Sequence, residues 1–147
     1  MANNNITLTK TTAKDLNALF QFQLDPEACY LAAFTAKDMN NKAAYIEKHS
    51  RFLTDPSINN QTIRFKGEIV GSIAKFVMEN EAEITYWIDR KYWGQGIASA
   101  VLKEFLTMEK TRPLYGRTAF DNYGSQKVLE KCGFVKSGTE RGFANAR

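Results

Sequence analysis

An apolar, β-prone run, Ile84-Thr85-Tyr86-Trp87-Ile88, gives way to an amphipathic run from Ala98 to Met108. The link between them reads Tyr92-Trp93-Gly94-Gln95-Gly96-Ile97-Ala98-Ser99. A strand that feeds a helix in this way makes a crossover, so the strands before and after that helix should be parallel. Gly94 and Gly96 carry no Cβ, which lets the main chain turn tightly and present its N–H groups. The first N–H groups of a helix lack internal partners and sit at the positive end of its dipole. Such a turn suits a pyrophosphate, and it equally suits a plain strand-to-helix corner. A phosphate loop is excluded, because no Gly-x-x-x-x-Gly-Lys-Ser/Thr occurs. The dinucleotide fingerprint also fails: Gly94-x-Gly96-x-x-Ser99 lacks its third small Gly/Ala, and Leu114 to Gly116 stands where an acid is needed.

Downstream the chain reads Ala119-Phe120-Asp121-Asn122-Tyr123-Gly124-Ser125-Gln126-Lys127-Val128-Leu129-Glu130-Lys131-Cys132-Gly133-Phe134. A strand ends, an Asn opens a short helix and Gly133 stops it. Together the two segments resemble the GNAT superfamily of acyl-coenzyme A N-acyltransferases. The first is similar to its Arg/Gln-x-x-Gly-x-Gly/Ala pyrophosphate motif, the second to its Asn-x-x-Ser-x-x-Val-Leu-Glu-Lys-x-Gly-Phe motif. The wording is closest to the branch named for ribosomal-protein N-terminal acetyltransferases. The resemblance covers Glu68 to Phe134 by motif and the N-terminal part by element order. Two departures stand out. Trp93 occupies the Arg/Gln position, and Leu129 replaces the tyrosine that many members use as general acid.

The element order agrees with that resemblance. Ile6 to Lys10 alternates as a strand. Thr12-x-x-Asp15 opens a helix with Leu16, Leu19, Phe20 and Leu24 on one face, ended by Asp25-Pro26. Thr35-x-x-Asp38 opens a second helix aligning Met39, Ala43, Ile46 and Leu53. Gln61 to Phe65 and Glu68 to Met78 form a hairpin about Lys66-Gly67. Ala82 to Asp89 is the fourth strand, Gly96 to Met108 a helix, and Leu114 to Ala119 the fifth strand. Asn122 to Cys132 is a helix and Phe134 to Thr139 a sixth strand. The expected fold is therefore α+β, one domain over residues 1–147. Its sheet is mixed and mostly antiparallel, with about four helices, and strands four and five are parallel. The resemblance implies that those two strands splay and that the acyl thioester lies in the gap. It also implies a seventh strand, for which Gly138 to Arg147 offers too little apolar sequence. Either the chain naturally continues, or another molecule completes the sheet as a homodimer, because long bare edges promote association.

The composition, 44% hydrophobic and 24% charged, is ordinary for a folded soluble domain. No apolar run reaches spanning length and Met1 to Asn5 has no signal-peptide pattern, so a cytoplasmic protein without membrane partners is expected. A net charge of +4 with scattered basic residues does not argue for nucleic acid. It does suit a polyanionic small ligand, with Arg90, Lys91, Lys127 and Lys131 beside the two motifs; each is also an ordinary surface cation. Cys29 and Cys132 form neither a disulfide framework nor a metal pattern, and His49 has no triad partners in sequence.

Acyl transfer from a thioester to an amine needs a neutral amine, a stabilised oxyanion and a leaving thiolate. Glu83 is the candidate base, because the resemblance places there a glutamate acting through water; a strand-end surface carboxylate is the alternative, and Glu81 the fallback. Backbone N–H groups at Tyr86, Trp87 and Ile88 would hold the oxyanion. Ser125 or Tyr123 would replace the missing general acid at Leu129. The resemblance implies that acetyl-coenzyme A sits on Trp93, Gly94, Gln95, Gly96, Ile97, Ala98 and Ser99, with Asn122 and Ser125 on its arm and Lys127 and Lys131 near its phosphates. The leading reading is an acetyl-coenzyme A-dependent N-acetyltransferase acting on a small-molecule or peptide amine. A non-catalytic coenzyme A-binding or interaction module and a nucleotide-binding α/β domain are the alternatives. Tyr30, Phe34 and Tyr86, with the Asp25 to Phe34 loop, would wall the acceptor pocket.

Overall fold

Strand alternation organises the molecule. The computed structural model describes residues 5–32, 40–119 and 121–138. Five strands, β1 (Ile6–Lys10), β2 (Asn59–Phe65), β3 (Glu68–Met78), β4 (Glu81–Ile88) and β5 (Leu114–Gly116), form one sheet in that spatial order. The first four are antiparallel neighbours, and β4 pairs with β5 in parallel. Two-residue turns with positive φ at both positions, Lys66-Gly67 and Glu79-Asn80, join β2 to β3 and β3 to β4. Between β4 and β5 runs the expected crossover helix, α4 (Ile97–Met108).

Register assigns the two faces. Ile63, Gly71 and Ile88 are paired in a row, as are Ile73 with Tyr86 and Lys75 with Ile84. This face packs Ile63, Ile73, Ile84 and Ile88 against Ile97, Val101, Leu102 and Phe105 of α4. The other face carries the row Thr62, Ser72, Trp87 and, two steps along each time, Thr85 and Glu83. Here Asp15 docks the N-terminal helices: its carboxylate accepts from Thr62 Oγ1 at 3.0 Å and Thr12 N at 3.0 Å, and pairs with Arg64 at 3.2 Å. The Thr12/Asp15 capping box thus serves also as a tertiary clamp. Helix α1 (Leu16–Phe22) buries Leu16, Leu19 and Phe20 as expected, whereas Leu24 lies beyond its end and is exposed.

Four expectations are corrected. The segment after Asp25 is not a loop but helix α2 (Pro26–Ala32), one of five α-helices among the described residues. Proline at a first helical position leaves no hydrogen bond unmade, and Asp25 Oδ1 accepts from Glu27 N at 3.1 Å. Helix α3 (Lys42–Leu53) starts on an Asn41 cap; Thr35 to Met39 and Phe34 lie outside the described residues. Strand β5 stops at Gly116, short of Ala119, because its pairing with β4 ends there. Residues 134–138 form no strand, and Thr139 and the tail to Arg147, where the missing seventh strand was expected, are outside the described residues.

His49 sits in a column of aromatic rings, stacked on Tyr45 at 4.0 Å and edge-on to Phe52 at 5.2 Å, with Phe20 on the far side of Tyr45. Burial, helped by the Lys48 charge, pushes its imidazole down to about 4. The unfolded chain therefore binds a proton that the native state refuses between about pH 6.5 and 4. Stability should fall across that window by roughly 2–3 kcal/mol from this residue alone. His49→Phe should gain on the wild type as pH drops, measured by urea unfolding at pH 7 and pH 4.5. An equal fall in both proteins would remove His49 from the acid response.

Candidate functional site

The parallel pairing of β4 with β5 comprises Ala82 with Leu114, Glu83 with Tyr115 and Ile84 with Gly116. Past that point β4 runs on to Ile88 while β5 has ended, so Thr85 to Ile88 are paired with β3 alone. The two strands thus open a gap, and backbone groups about Tyr86, Trp87 and Ile88 border it.

The glycine turn lies at the open end of β4. Gly94 and Gly96 have φ of 80° and 76°, so both need the left-handed region, and a Cβ on either would meet nothing within 4 Å. Conformation, not crowding, fixes glycine here, and the space in front of the turn is free. Gly96 is the N-cap residue of α4 and no side chain caps the helix. Its first-turn N–H groups, at Ile97, Ala98 and Ser99, are left for something else to satisfy. Trp93 does not substitute for an Arg or Gln in chemistry: its indole N–H donates to Ile88 O at 2.8 Å and ties the turn to β4. Gln95 is exposed, its amide 3.5 Å from Lys91 O. Arg90 is not an idle surface cation. It pairs with Asp25 at 2.9 Å and Glu27 at 2.6 Å, joining the start of α2 to this turn.

Helix α5 (Tyr123–Lys131) closes the same end. Asn122 caps it by accepting from Ser125 N at 3.3 Å. Tyr86 Oη donates to Ser125 Oγ at 3.1 Å, bridging from β4 to α5. Burial raises the Tyr86 phenol, and the hydrogen bond to Ser125 only partly offsets it. Leu129 packs on β5: a Cβ on Gly116 would come within 2.9 Å of its Cδ2. Cys132 lies half-buried against Ser99 O at 3.6 Å, a helix-to-helix contact. Tyr123, 64% exposed, and the exposed Lys127 and Lys131 are not drawn into this cluster.

Glu83 is not a surface carboxylate. It is 3% exposed, and Arg117 Nε donates to its Oε2 at 3.0 Å. Arg117 also approaches Glu81 at 3.8 Å, and the Glu81 side chain is about half exposed. Glu83 and Tyr86 lie on opposite faces of β4: Glu83 stands opposite Tyr115 in the paired stretch, two residues before the strands part, and Tyr86 reaches Ser125 beyond that point. Arg117 carries no signal in sequence, and neither does the pairing of Tyr86 with Ser125, since each contact spans more than thirty residues. Among the described residues, no cluster of three His, Cys, Asp or Glu is arranged to hold a metal, and no helix is long and apolar enough to cross a membrane. A separate open hollow of ≈ 510 Å³, lined by Lys10, Asp55, Asn59 and Gln61 among others, contains none of these residues.

Comparison with known proteins follows the same geometry. Residues 5–135 match the family model described as acetyltransferase (GNAT) domain. The chain is 26% identical to the uncharacterized N-acetyltransferase p20 of Bacillus licheniformis, over 97% of this chain and 85% of that one. Among solved structures, AAC(6')-Ib in complex with ribostamycin and coenzyme A superposes with a TM-score of 0.80 at 17% identity, over 93% of this chain and 87% of that one. The microcin C7 self-immunity acetyltransferase MccE, in complex with acetyl-CoA and AMP, gives 0.77 at 18% identity, over 92% and 82%. The ribosomal α-N-protein acetyltransferase RimL, in complex with coenzyme A, gives 0.74 at 20% identity, over 92% and 82%. At these identities the three structures speak to the fold.

Proposed function

The chain belongs to the GNAT acetyltransferase domain family, and from that premise we propose that it transfers an acetyl group from acetyl-coenzyme A to a primary amine by direct attack in a ternary complex. One observation carries the reading: the β4–β5 pairing ends beside an uncapped glycine turn, with Ser125 held at the opening and the buried Glu83 on the opposite face, two residues before the strands part. The left-handed glycines and the free space before them fit a pyrophosphate against backbone N–H groups at Gly94 to Ser99.

When bound, acetyl-coenzyme A supplies the activated thioester. Asn122, Ser125 and the turn orient it. Glu83, on the face of the sheet where Asp15 docks α1, takes the amine proton through a water. Arg117 clamps one of its oxygens and leaves the other for that water. N–H groups of β4 about Tyr86 to Ile88 receive the oxyanion. Ser125 is the hydroxyl of choice on the leaving-group side, because it is half-buried at the gap whereas Tyr123 is solvated. The acceptor is an amine of a small molecule or peptide. Leu129, packed down on Gly116, brings no hydroxyl there and favours a second reading, a coenzyme A-binding module without turnover.

A panel of amines assayed for coenzyme A release separates the two. Placement is tested by Gly96→Val, which costs roughly 1–2 kcal/mol in backbone strain and fills the open space of the turn. We expect a folded protein whose melting temperature no longer rises with acetyl-coenzyme A. An undiminished rise would move the ligand elsewhere.

A further inference from the structure

We propose that Tyr86 is a positioning residue: by donating to Ser125 Oγ across the open end of the β4–β5 gap, it aims the Ser125 proton at the departing sulfur. This rests on the acetyltransferase reading above. A serine hydroxyl has one proton and room to accept. With Tyr86 Oη as donor at 3.1 Å, one of the two Oγ lone pairs is occupied and the Ser125 proton is left for an acceptor other than Tyr86. Both partners are held. The Tyr86 ring packs against the α4 core, its backbone pairs with Ile73, and Ser125 N is fixed by the Asn122 cap. Burial keeps the phenol protonated throughout the working range, so it stays a donor. Leu129, the position that supplies a hydroxyl in many relatives, is committed to packing on Gly116. The work of greeting the leaving group falls to the Tyr86–Ser125 pair.

The step balances without a full proton transfer from serine. As the amine nitrogen bonds to the carbonyl carbon, the carbon–sulfur bond breaks and its electron pair stays on sulfur. The amine proton passes through water to Glu83 and on to solvent. A thiol has a reference pKa near 8.5 and a serine hydroxyl is a far weaker acid. Ser125 therefore donates a hydrogen bond to the thiolate, which takes its proton from water after it leaves.

The test uses Tyr86→Phe, Ser125→Ala and the double variant in the full chain, each checked for wild-type melting behaviour. Tyr86→Phe should lower kcat about 10- to 100-fold, in line with the loss of an orienting partner, and leave KM for acetyl-coenzyme A within about twofold. The double variant should be no slower than Ser125→Ala, because Tyr86 acts only through Ser125. A readout independent of turnover is the ionisation of bound coenzyme A itself, followed by thiolate absorbance against pH. Its midpoint should lie below the free thiol's in the wild type and return toward it in both single variants. Ser125→Thr, which keeps a hydroxyl, should keep the low midpoint if Tyr86 is present. If the wild type releases no coenzyme A from any amine, the functional reading falls and this inference with it. If the wild type is active and Tyr86→Phe matches it in kcat and in thiol midpoint, or if the two losses multiply, the inference alone is overturned.

Discussion

Glu83→Gln is expected to slow turnover about 100-fold near neutral pH, the typical contribution of a positioned base. Glutamine keeps the size and the contact to Arg117 but has no charge to draw a proton. The deficit should shrink as pH rises, because the acceptor amine, with a reference pKa of about 8 for an α-amine and about 10.4 for a lysine, then arrives neutral without help. Affinity for acetyl-coenzyme A should not move, since Glu83 lies on the face of β4 opposite α4 and α5. A pH–rate profile identical to the wild type's would remove Glu83 from the mechanism. Folding should tolerate the change: the Arg117 guanidinium is half exposed and stays hydrated when its partner is neutral.

Gly71→Ala should cost the fold at least about 3 kcal/mol, a large share of the roughly 5–15 kcal/mol that holds a domain together. A Cβ at Gly71 would fall 2.0 Å from Trp87 O and 3.0 Å from Ile88 Cα. Both obstacles are backbone of the adjacent strand, so no rotamer change relieves them, and β3 and β4 would have to separate where β4 also borders the gap. Gly116→Ala is the internal comparison. Its obstacle is the tip of the Leu129 side chain, which can turn aside, so about 1 kcal/mol is expected. Urea unfolding of both variants checks the pair of values. Gly71→Ala as stable as the wild type would mean that the two strands approach less closely than described.

Much of this was legible because it is local. Ile6 to Lys10 alternates, Glu68 to Met78 is marked by the Lys66-Gly67 turn before it and Ala82 to Asp89 by its apolar, β-prone run, while α4 and α5 are announced by a glycine and an asparagine at their starts. Helix α2 was hidden by Asp25-Pro26, which reads as a stop: proline ends the helix before it and opens the one after it with the same ring. The shortness of β5 was not read, although Gly116 and Ala119 weaken the strand pattern there; pairing with β4 ends at Gly116. At the site, Glu83, Tyr86 and Ser125 were named from the sequence, while Arg117 and the Tyr86–Ser125 hydrogen bond were not. Arg117 looks like an ordinary strand residue until tertiary structure brings Glu83 to it. Lys127 and Lys131 lie on the exposed side of α5, as charged residues beside a motif ordinarily do.

Glu83 and Tyr86 are three positions apart, and in a strand an odd spacing means opposite sides while an even one means the same side. The division of labour at the gap is therefore stored as parity. Inserting or deleting one residue between them would put both groups on one side and leave the other without either, however well the sheet reformed around it. Two inserted residues would restore the sense but lengthen the span by roughly 7 Å, more than the Tyr86–Ser125 hydrogen bond can absorb. The three-residue interval thus keeps the two side chains on opposite sides of β4, with Tyr86 at the distance from which it reaches Ser125.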